Sequence, residues 1–491
     1  MTKHYIFGLS TIASYLLGHC QPGSTAESQT QNGSAMRVHF IAIGGSAMHN
    51  LAIALHKKGV VVSGSDDEIF DPSKKRLLQY GLLPEPYGWF PEKIKDDLDA
   101  VILGMHARAD NPELTRAREL NLRIYSYPEY LYEQSKNKTR IVIGGSHGKT
   151  TITAMVLHVL QTHQIKTDYM VGAQLEGFDV MVALSDMAPF MVIEGDEYLS
   201  SPLDPRPKFH IYKPHIALIS GVAWDHINVF PSFEMYLDQF RRFIHCIEDN
   251  GKLIYCAADE LVKAICEEEA TDDICLYPYH IPEYRLVRGK VVITHKDKDY
   301  EVQVFGQHNL QNLAGARLVC LQLGITDEMF FEAVGSYKGA SRRLEKVYQN
   351  KELVVFRDFA HAPSKIRAST QAVKEFHPNK KLIACMELHT YSSLNEQFLH
   401  HYKGSLGMAD EAIVFYDPHA VRLKKLPELD PGLIIKAFDR PDMKVFTSAD
   451  NLEKHLTGMP ADHTTYLFMS SGNFGGLSFK NFFTSIDKRL D

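Results

Sequence analysis

The chain lacks any paired-cysteine signature. Its seven cysteines, Cys20, Cys246, Cys256, Cys266, Cys275, Cys320 and Cys385, contain no C-x-x-C pair, and their number is odd. A disulfide framework and a zinc ribbon are therefore excluded, and buried free thiols in a reducing compartment are expected. A basic excess is also missing. Lys+Arg number 53 against 60 Asp+Glu, for a formal net charge of −7. That balance argues against a general nucleic-acid or membrane binder, though not against local cations that grip a phosphate. The apolar run near the N-terminus, YIFGLSTIASYLLG, falls short of the ~20 residues that span a bilayer. No internal repeat is found, and no low-complexity tract beyond the first 35 residues.

Those first 35 residues stand apart. Lys3 and His4 precede the apolar run, and a polar stretch, QPGSTAESQTQNGSA, follows it. One reading is a signal peptide ending near Cys20. The other is a disordered extension or an upstream start, with the first domain opening at Met36. We take the second: the segment IVIGGSHGKTT further along is a glycine-rich strand–turn–helix of the kind that binds ATP, which an exported protein lacks.

From Met36 the pattern alternates strand and helix, as in α/β proteins with parallel sheets. VHFIAIGG, SAMHNLAIALHKKG and VVVSGSD form a βαβ unit of about 30 residues, with Asp66 about 20 residues past the glycines. DAVILGM reads as a buried strand and NPELTRARELN as a helix with Pro112 in its first turn. RIVIGG, PFMVIEG and HIALISG are strands of a second region, and 251–305 is richer in β pattern. After the helix in GQHNLQNLAGARLVCLQLG, a third region alternates ELVVFRDF, KLIACMEL, EAIVFYD and TYLFMSSG with helical stretches.

The segment IVIGGSHGKTT carries G-x-x-G-K-T, a compact phosphate-binding turn between strand and helix. Gly145 and Gly148 let backbone N–H groups of the turn, with Ser146 and His147, face a ligand. The helix opening at Lys149 aims its positive end at the same place. Lys149 adds a mobile charge for β- and γ-phosphates, and Thr150, followed by Thr151, offers a hydroxyl to Mg²⁺. Glu194 follows one apolar strand and Asp225–His226 another, where ligands of parallel sheets collect. Thr150, Glu194 and His226 are the expected metal ligands.

G-G-S-H-G-K-T-T, E-G-D-E, D-H-I-N, G-Q-H-N-L-Q-N, R-R-L-E and D-F-A-H-A-P occur in the order seen in the Mur ligases, a family that builds the peptide stem of bacterial cell-wall precursors. The chain resembles that family over about residues 36–480. The resemblance implies an α/β protein of three domains after an extension at 1–35. These are a Rossmann-like UDP-substrate-binding domain at 36–136, a central P-loop ATP-binding domain with a mixed sheet at 137–338, and a C-terminal Rossmann-like ligase domain at 339–491. Gly44, Gly45 and Ser46, with Ser65, Asp66 and Asn111, would meet UDP-N-acetylmuramate. His308, Asn309 and Asn312 match an adenine-side motif. Arg343, Asp358 and His361 match third-domain residues that complete the nucleotide site. The implied activity is ATP- and Mg²⁺-dependent amide formation in the cytoplasm, by a monomer or homodimer, with Lys149, Glu194, His226 and Arg343 as the catalytic set. A substrate carboxylate takes the γ-phosphoryl group, becomes an acyl phosphate and is captured by an amine.

Some family members carry a carbamylated lysine about 15 residues after the D-H histidine. Here that place falls at or near Arg241, which cannot form the carbamate, so the chain resembles the branch acting on UDP-N-acetylmuramate itself. Within it, one activity adds L-alanine and another adds the recycled tripeptide L-alanyl-γ-D-glutamyl-meso-diaminopimelate. D-E-Y followed by D-x-R-x-K-F, at 196–209, resembles the tripeptide-adding branch. Arg206 and Lys208 are expected to face an acidic acceptor or to be plain surface charges. His389, in MELHTYSSLN, stands where many relatives have an arginine-containing turn and is a candidate acceptor contact. SSGNFGGL, 470–477, is either a cradle of N–H groups for a peptide carboxylate or a tight turn.

Overall fold

Apolar runs of four to eight residues become strands here wherever a glycine or turn closes them. The computed structural model describes residues 35–479 and 482, apart from 176, 225, 226, 228 and 460. The expectations placed on residues 1–34 lie outside these. From Met36 on, the described residues form one compact unit.

The first sheet holds β1 (Arg37–Ile41), β2 (Val61–Ser65), β3 (Ala100–Leu103) and β4 (Ile124–Ser126). Its order is β2-β1-β3-β4 and every pairing is parallel. The second holds β5 (Thr139–Gly144), β6 (Thr167–Met170), β7 (Val182–Ala183), β8 (Phe190–Glu194), β9 (Ile216–Ile219), β10 (Lys252–Cys256) and β11 (Cys275–Tyr279). Its order is β11-β10-β9-β5-β8-β6-β7, parallel except between β6 and β7, so the sheet is mixed. A small antiparallel sheet follows, made of β12 (Tyr284–Val287), β13 (Lys290–His295) and β14 (Lys298–Val302). Together with β10 and β11 of the second sheet it makes up the β-rich stretch 251–305.

The last sheet runs β15-β16-β20-β17-β18-β19, with β15 (Glu345–Gln349), β16 (Leu353–Asp358), β17 (Lys381–Leu388), β18 (Glu411–Tyr416), β19 (Lys444–Phe446) and β20 (Thr464–Met469). Only β15 is antiparallel. Its alternating polar sequence, EKVYQ, gives an edge strand no continuous apolar signal.

Two features of packing position the site. The helix Lys149–Thr162 is buried along most of its length, from Thr150 to Leu160, because it lies between the second sheet and the helix Gln307–Gln322. The helix Phe233–Ile244 is amphipathic. Tyr236, Leu237, Phe240, Phe243 and Ile244 fall on one buried face at the i, i+4, i+7 spacing, and Phe240 and Phe243 pack on Phe209. Apolar residues of the first sheet, such as Val38 and Phe40, share one core with Val142 of the second and with Phe209 of the short helix Lys208–Ile211. Among the described residues no helix is long and apolar enough to cross a membrane. Of the six described cysteines, all free, Cys256, Cys266, Cys320 and Cys385 are buried, while Cys246 is half-buried and Cys275 exposed.

Asn111 shows how a predicted ligand contact is put to local use. Its Oδ1 accepts from the Glu113 N–H at 2.9 Å and the Leu114 N–H at 3.2 Å, capping the helix Pro112–Glu119. Asn111→Ala is therefore expected to lower unfolding stability by about 1 kcal/mol, whereas Asn111→Asp keeps most of it. Urea denaturation of both variants checks this.

Candidate active site

In the second sheet β5 sits between β8 and β9, at the point where the strand order changes direction. Their C-terminal ends bring together the turn Gly145–Gly148, Glu194 and Ser220. The turn is packed too tightly to carry side chains at its glycines. Gly148 has φ +78° and a Cβ there would collide with Asn312 Oδ1; Gly145 has φ +126° and would collide with Ser220. Gly221 leaves room for the His147 ring. The Ser220 hydroxyl donates to the His147 carbonyl.

A cavity of about 760 Å³ opens over this turn. Residues from three of the sheets and their helices reach it. Ser46, from the helix after β1, lines one side. Ser146, His147, Gly148, Lys149, Thr150, Thr151 and Glu194 line the floor, and His308, Asn309 and Asn312 the wall behind them. Arg343, Asp358 and His361 close it from the region of the last sheet. The first sheet is tied to the cavity rim by Asn50, whose Oδ1 accepts from the Met181 N–H at 3.1 Å.

The polar groups on the floor are interlocked. The Thr150 hydroxyl donates to Glu194 Oε1 at 2.7 Å and accepts from Arg343 Nη2 at 3.3 Å. Glu194 Oε2 accepts from the Gly172 N–H at 2.7 Å. The Arg343 guanidinium lies over the Phe359 ring at 4.6 Å, and burial lowers its pKa against the pull of Asp358 and Glu194. Lys149 donates to the Gly145 carbonyl and to Glu197 Oε2, each at 2.6 Å. Burial alone would lower the Lys149 pKa; the carboxylates Glu197, Asp196 and Glu194 outweigh it and raise it. His147 goes the other way, down to about 3, through burial and the nearby charges of Lys365, Lys149 and His308. Burial also lowers the His308 pKa, with Asp358 opposing. Asp358 accepts from the Ser369 hydroxyl, Asn309 Nδ2 donates to the Phe305 carbonyl at 3.0 Å, and His361 Nδ1 meets the Phe359 carbonyl at 2.8 Å.

This donor set suits a nucleoside triphosphate. Cations from two directions, Lys149 and Arg343, face a glycine turn that a Cβ would fill, at the start of a buried helix. The Thr150 hydroxyl and the Glu194 carboxylate are hard oxygen donors of the kind Mg²⁺ prefers, and that ion takes few ligands from protein. Among the described residues no group of three His, Cys, Asp or Glu is arranged to hold a metal. His226 lies outside the described residues. The nearby Ala223 N–H donates to Ser146 Oγ at 2.9 Å.

Several predicted contacts lie elsewhere. Gly44, Gly45, Gly145, Ser65, Asp66, Asn111, Arg206 and His389 do not line the cavity. Gly44, Ser65 and Asp66 nonetheless cluster at the C-terminal ends of β1 and β2. The Gly44 N–H donates to Asp66 Oδ2 at 2.7 Å, Ser65 Oγ accepts from Lys93 at 3.3 Å, and Gly45 caps the helix opening at Ser46. Burial raises the Asp66 pKa. Arg206 turns outward, its side chain 60% exposed, and grips Asp204 through Nε and Nη2. Lys208, two residues on, lines the cavity and donates to Asp196 Oδ2 at 2.5 Å.

His389 is half-exposed, with Nδ1 3.6 Å from Glu387 Oε1. In 470–477 the tight turn prevails over the cradle at two N–H groups. Phe474 gives its N–H to buried Glu387 at 2.8 Å, and Gly472 gives its own to Ser470 Oγ at 2.6 Å. Glu197 and Tyr236 escaped the sequence reading altogether. The E-G-D-E motif contained Glu197, but nothing local pointed to Tyr236.

Comparison with known proteins agrees with this geometry. The profile of the Mur ligase middle domain matches residues 143–320, and that of the Mur ligase family catalytic domain matches 37–139. A UDP-N-acetylmuramate–L-alanine ligase from Arthrobacter sp. (strain FB24) is 30% identical over 410 residues, covering 81% of this chain and 84% of that one. Two solved structures share the fold. A murein peptide ligase from Psychrobacter arcticus 273-4 has TM-score 0.64 and 23% identity, over 92% of this chain and 99% of its own. A UDP-N-acetylmuramate–alanine ligase from Thermotoga maritima has TM-score 0.67 and 22% identity, over 93% and 99%.

Proposed function

The chain belongs to the Mur ligase family of ATP-dependent ligases, and we propose that it joins UDP-N-acetylmuramate to the tripeptide L-alanyl-γ-D-glutamyl-meso-diaminopimelate in the cytoplasm, recycling cell-wall peptide. In this reading 36–136 holds the UDP part, 137–338 the nucleotide and 339–491 the acceptor amine. One observation carries the choice of acceptor. The segment 196–209, which ends in D-x-R-x-K-F, folds back on itself through a bridge between Leu199 and Pro207, and so delivers Lys208 to the cavity beside Asp196. Lys208, shared with Asp196, offers a counter-charge to the tripeptide, which carries three carboxylates where L-alanine carries one.

The nucleotide supplies the γ-phosphoryl group that turns the substrate carboxylate into an acyl phosphate, so that phosphate rather than oxide leaves. Lys149 and Arg343 balance charge on the group in transfer, and the turn N–H groups orient it. Thr150 and Glu194 would hold Mg²⁺, which would supply further positive charge to offset that of the transferring group. The amine then attacks the acyl carbon, and the tetrahedral adduct expels phosphate.

L-alanine as acceptor is the second reading. It is favoured by the Arthrobacter relative and by the outward, Asp204-bound Arg206. With ATP, Mg²⁺ and UDP-N-acetylmuramate, phosphate release is expected only after an amine is added, and with at least tenfold higher kcat/KM for tripeptide than for L-alanine, the scale of discrimination that one or two polar contacts confer. A preference for L-alanine would reverse the assignment.

A further inference from the structure

The Lys149 ammonium is held by a chain of contacts that phosphate binding itself does not call for. Glu197, only 1% exposed, accepts from Lys149 on Oε2 and from the Tyr236 hydroxyl on Oε1 at 3.1 Å. The Tyr236 oxygen also lies 2.8 Å from Ser146 Oγ, which accepts from the Ala223 N–H at 2.9 Å. The protons run one way: Ser146 donates to Tyr236 and Tyr236 donates to Glu197. Tyr236 comes from the helix Phe233–Ile244, no residue of which lines the cavity. Its ring is fixed there by edge packing on Phe240 at 5.3 Å. One rigid phenol thus sets both the phosphate turn, through Ser146, and the carboxylate that pairs with the turn's lysine.

A buried carboxylate is strongly disfavoured unless paired and hydrogen-bonded. Here the pairing satisfies Glu197 by occupying the cation that phosphates need. We propose that Glu197, anchored by Tyr236, is a positioning residue that docks the Lys149 ammonium over Gly145 before nucleotide enters and yields it to the phosphates afterwards. The flexible four-carbon stem of lysine permits that exchange, and the short distances keep the ammonium from wandering into solvent. The docking has opposite effects on binding and turnover. It taxes nucleotide affinity, because an ion pair must be given up, and it raises turnover, because the charge starts near its working position. The inference rests on the reading of this cavity as the ATP site.

The test is calorimetric titration of the full-length protein with ATP and Mg²⁺, alongside steady-state kinetics. Glu197→Gln keeps the shape and the bond to Tyr236 but removes the charge. It is expected to lower the ATP dissociation constant roughly threefold to tenfold, the scale of one partly buried ion pair, while kcat falls about tenfold. Tyr236→Phe keeps the ring packing and is expected to shift both quantities the same way by less. In a Lys149→Ala background the gain in affinity from Glu197→Gln should shrink to less than about twofold, since no lysine remains to be released. An equal gain there would mean bare charge repulsion and would overturn the docking role, as would an unchanged or raised dissociation constant in the single variant. Wild-type protein that fails to bind ATP would remove the site assignment and this proposal together. ATP binding that Lys149→Ala weakens but Glu197→Gln leaves alone would remove only the proposal.

Discussion

Lys149→Ala is expected to lower kcat about 10²- to 10³-fold, the cost of losing one preorganised charge aimed at a developing transition state. Lys149 is at once the nearest cation to the turn and the counter-charge of Glu197. Its loss therefore acts twice. The transferring phosphoryl group loses one of its balancing charges, and Glu197 is left buried without its lysine, so the melting temperature should fall as well. Lys149→Arg tests the geometry. It restores the charge, yet the planar guanidinium does not match the point contact between Gly145 O and Glu197 Oε2, and activity should stay well below wild type. Phosphate release in the presence of ATP, Mg²⁺, UDP-N-acetylmuramate and amine measures both variants. Lys149→Ala with wild-type kcat would refute the assignment of this turn to the phosphates.

Gly148→Ala should weaken ATP binding on the order of 10²-fold, the scale for an ångström-size displacement of a positioning group. Two costs combine. A left-handed φ of +78° strains any residue with a Cβ by roughly 1–2 kcal/mol. The Cβ also meets Asn312 Oδ1 and displaces that side chain from the turn, into the cavity it lines. Gly59→Ala is the control. It has φ +89° with nothing within 4 Å of the added Cβ, so it carries the strain without the collision. The control is expected to lower stability and leave nucleotide affinity as it was; titration with ATP separates the two.

The parts of this molecule that could be read from the chain are those whose cause is local. The turn Gly145–Gly148 is flanked by its own strand and helix within a dozen residues, so motif and placement come together. The strands β5, β8, β9, β16, β17, β18 and β20 are buried on both faces and leave continuous apolar runs. Edge strands such as β15 and β19 leave weaker ones. Polar side chains were harder, because each has competing local partners: Asn111 caps its helix, and Arg206 folds onto Asp204 two residues away.

The order of motifs along the chain determined the family, the ligase chemistry and the residues gathered over the phosphate turn. Only the tertiary structure decided which charges meet. The pairing of Lys149 with Glu197, and the reach of Tyr236 into both, depend on β5 lying between β8 and β9 and on one face of a remote helix being buried beneath them. A hydrogen-bonded ion pair needs its atoms about 3 Å apart, and such distances are set by sheet order and packing, which no run of consecutive residues encodes.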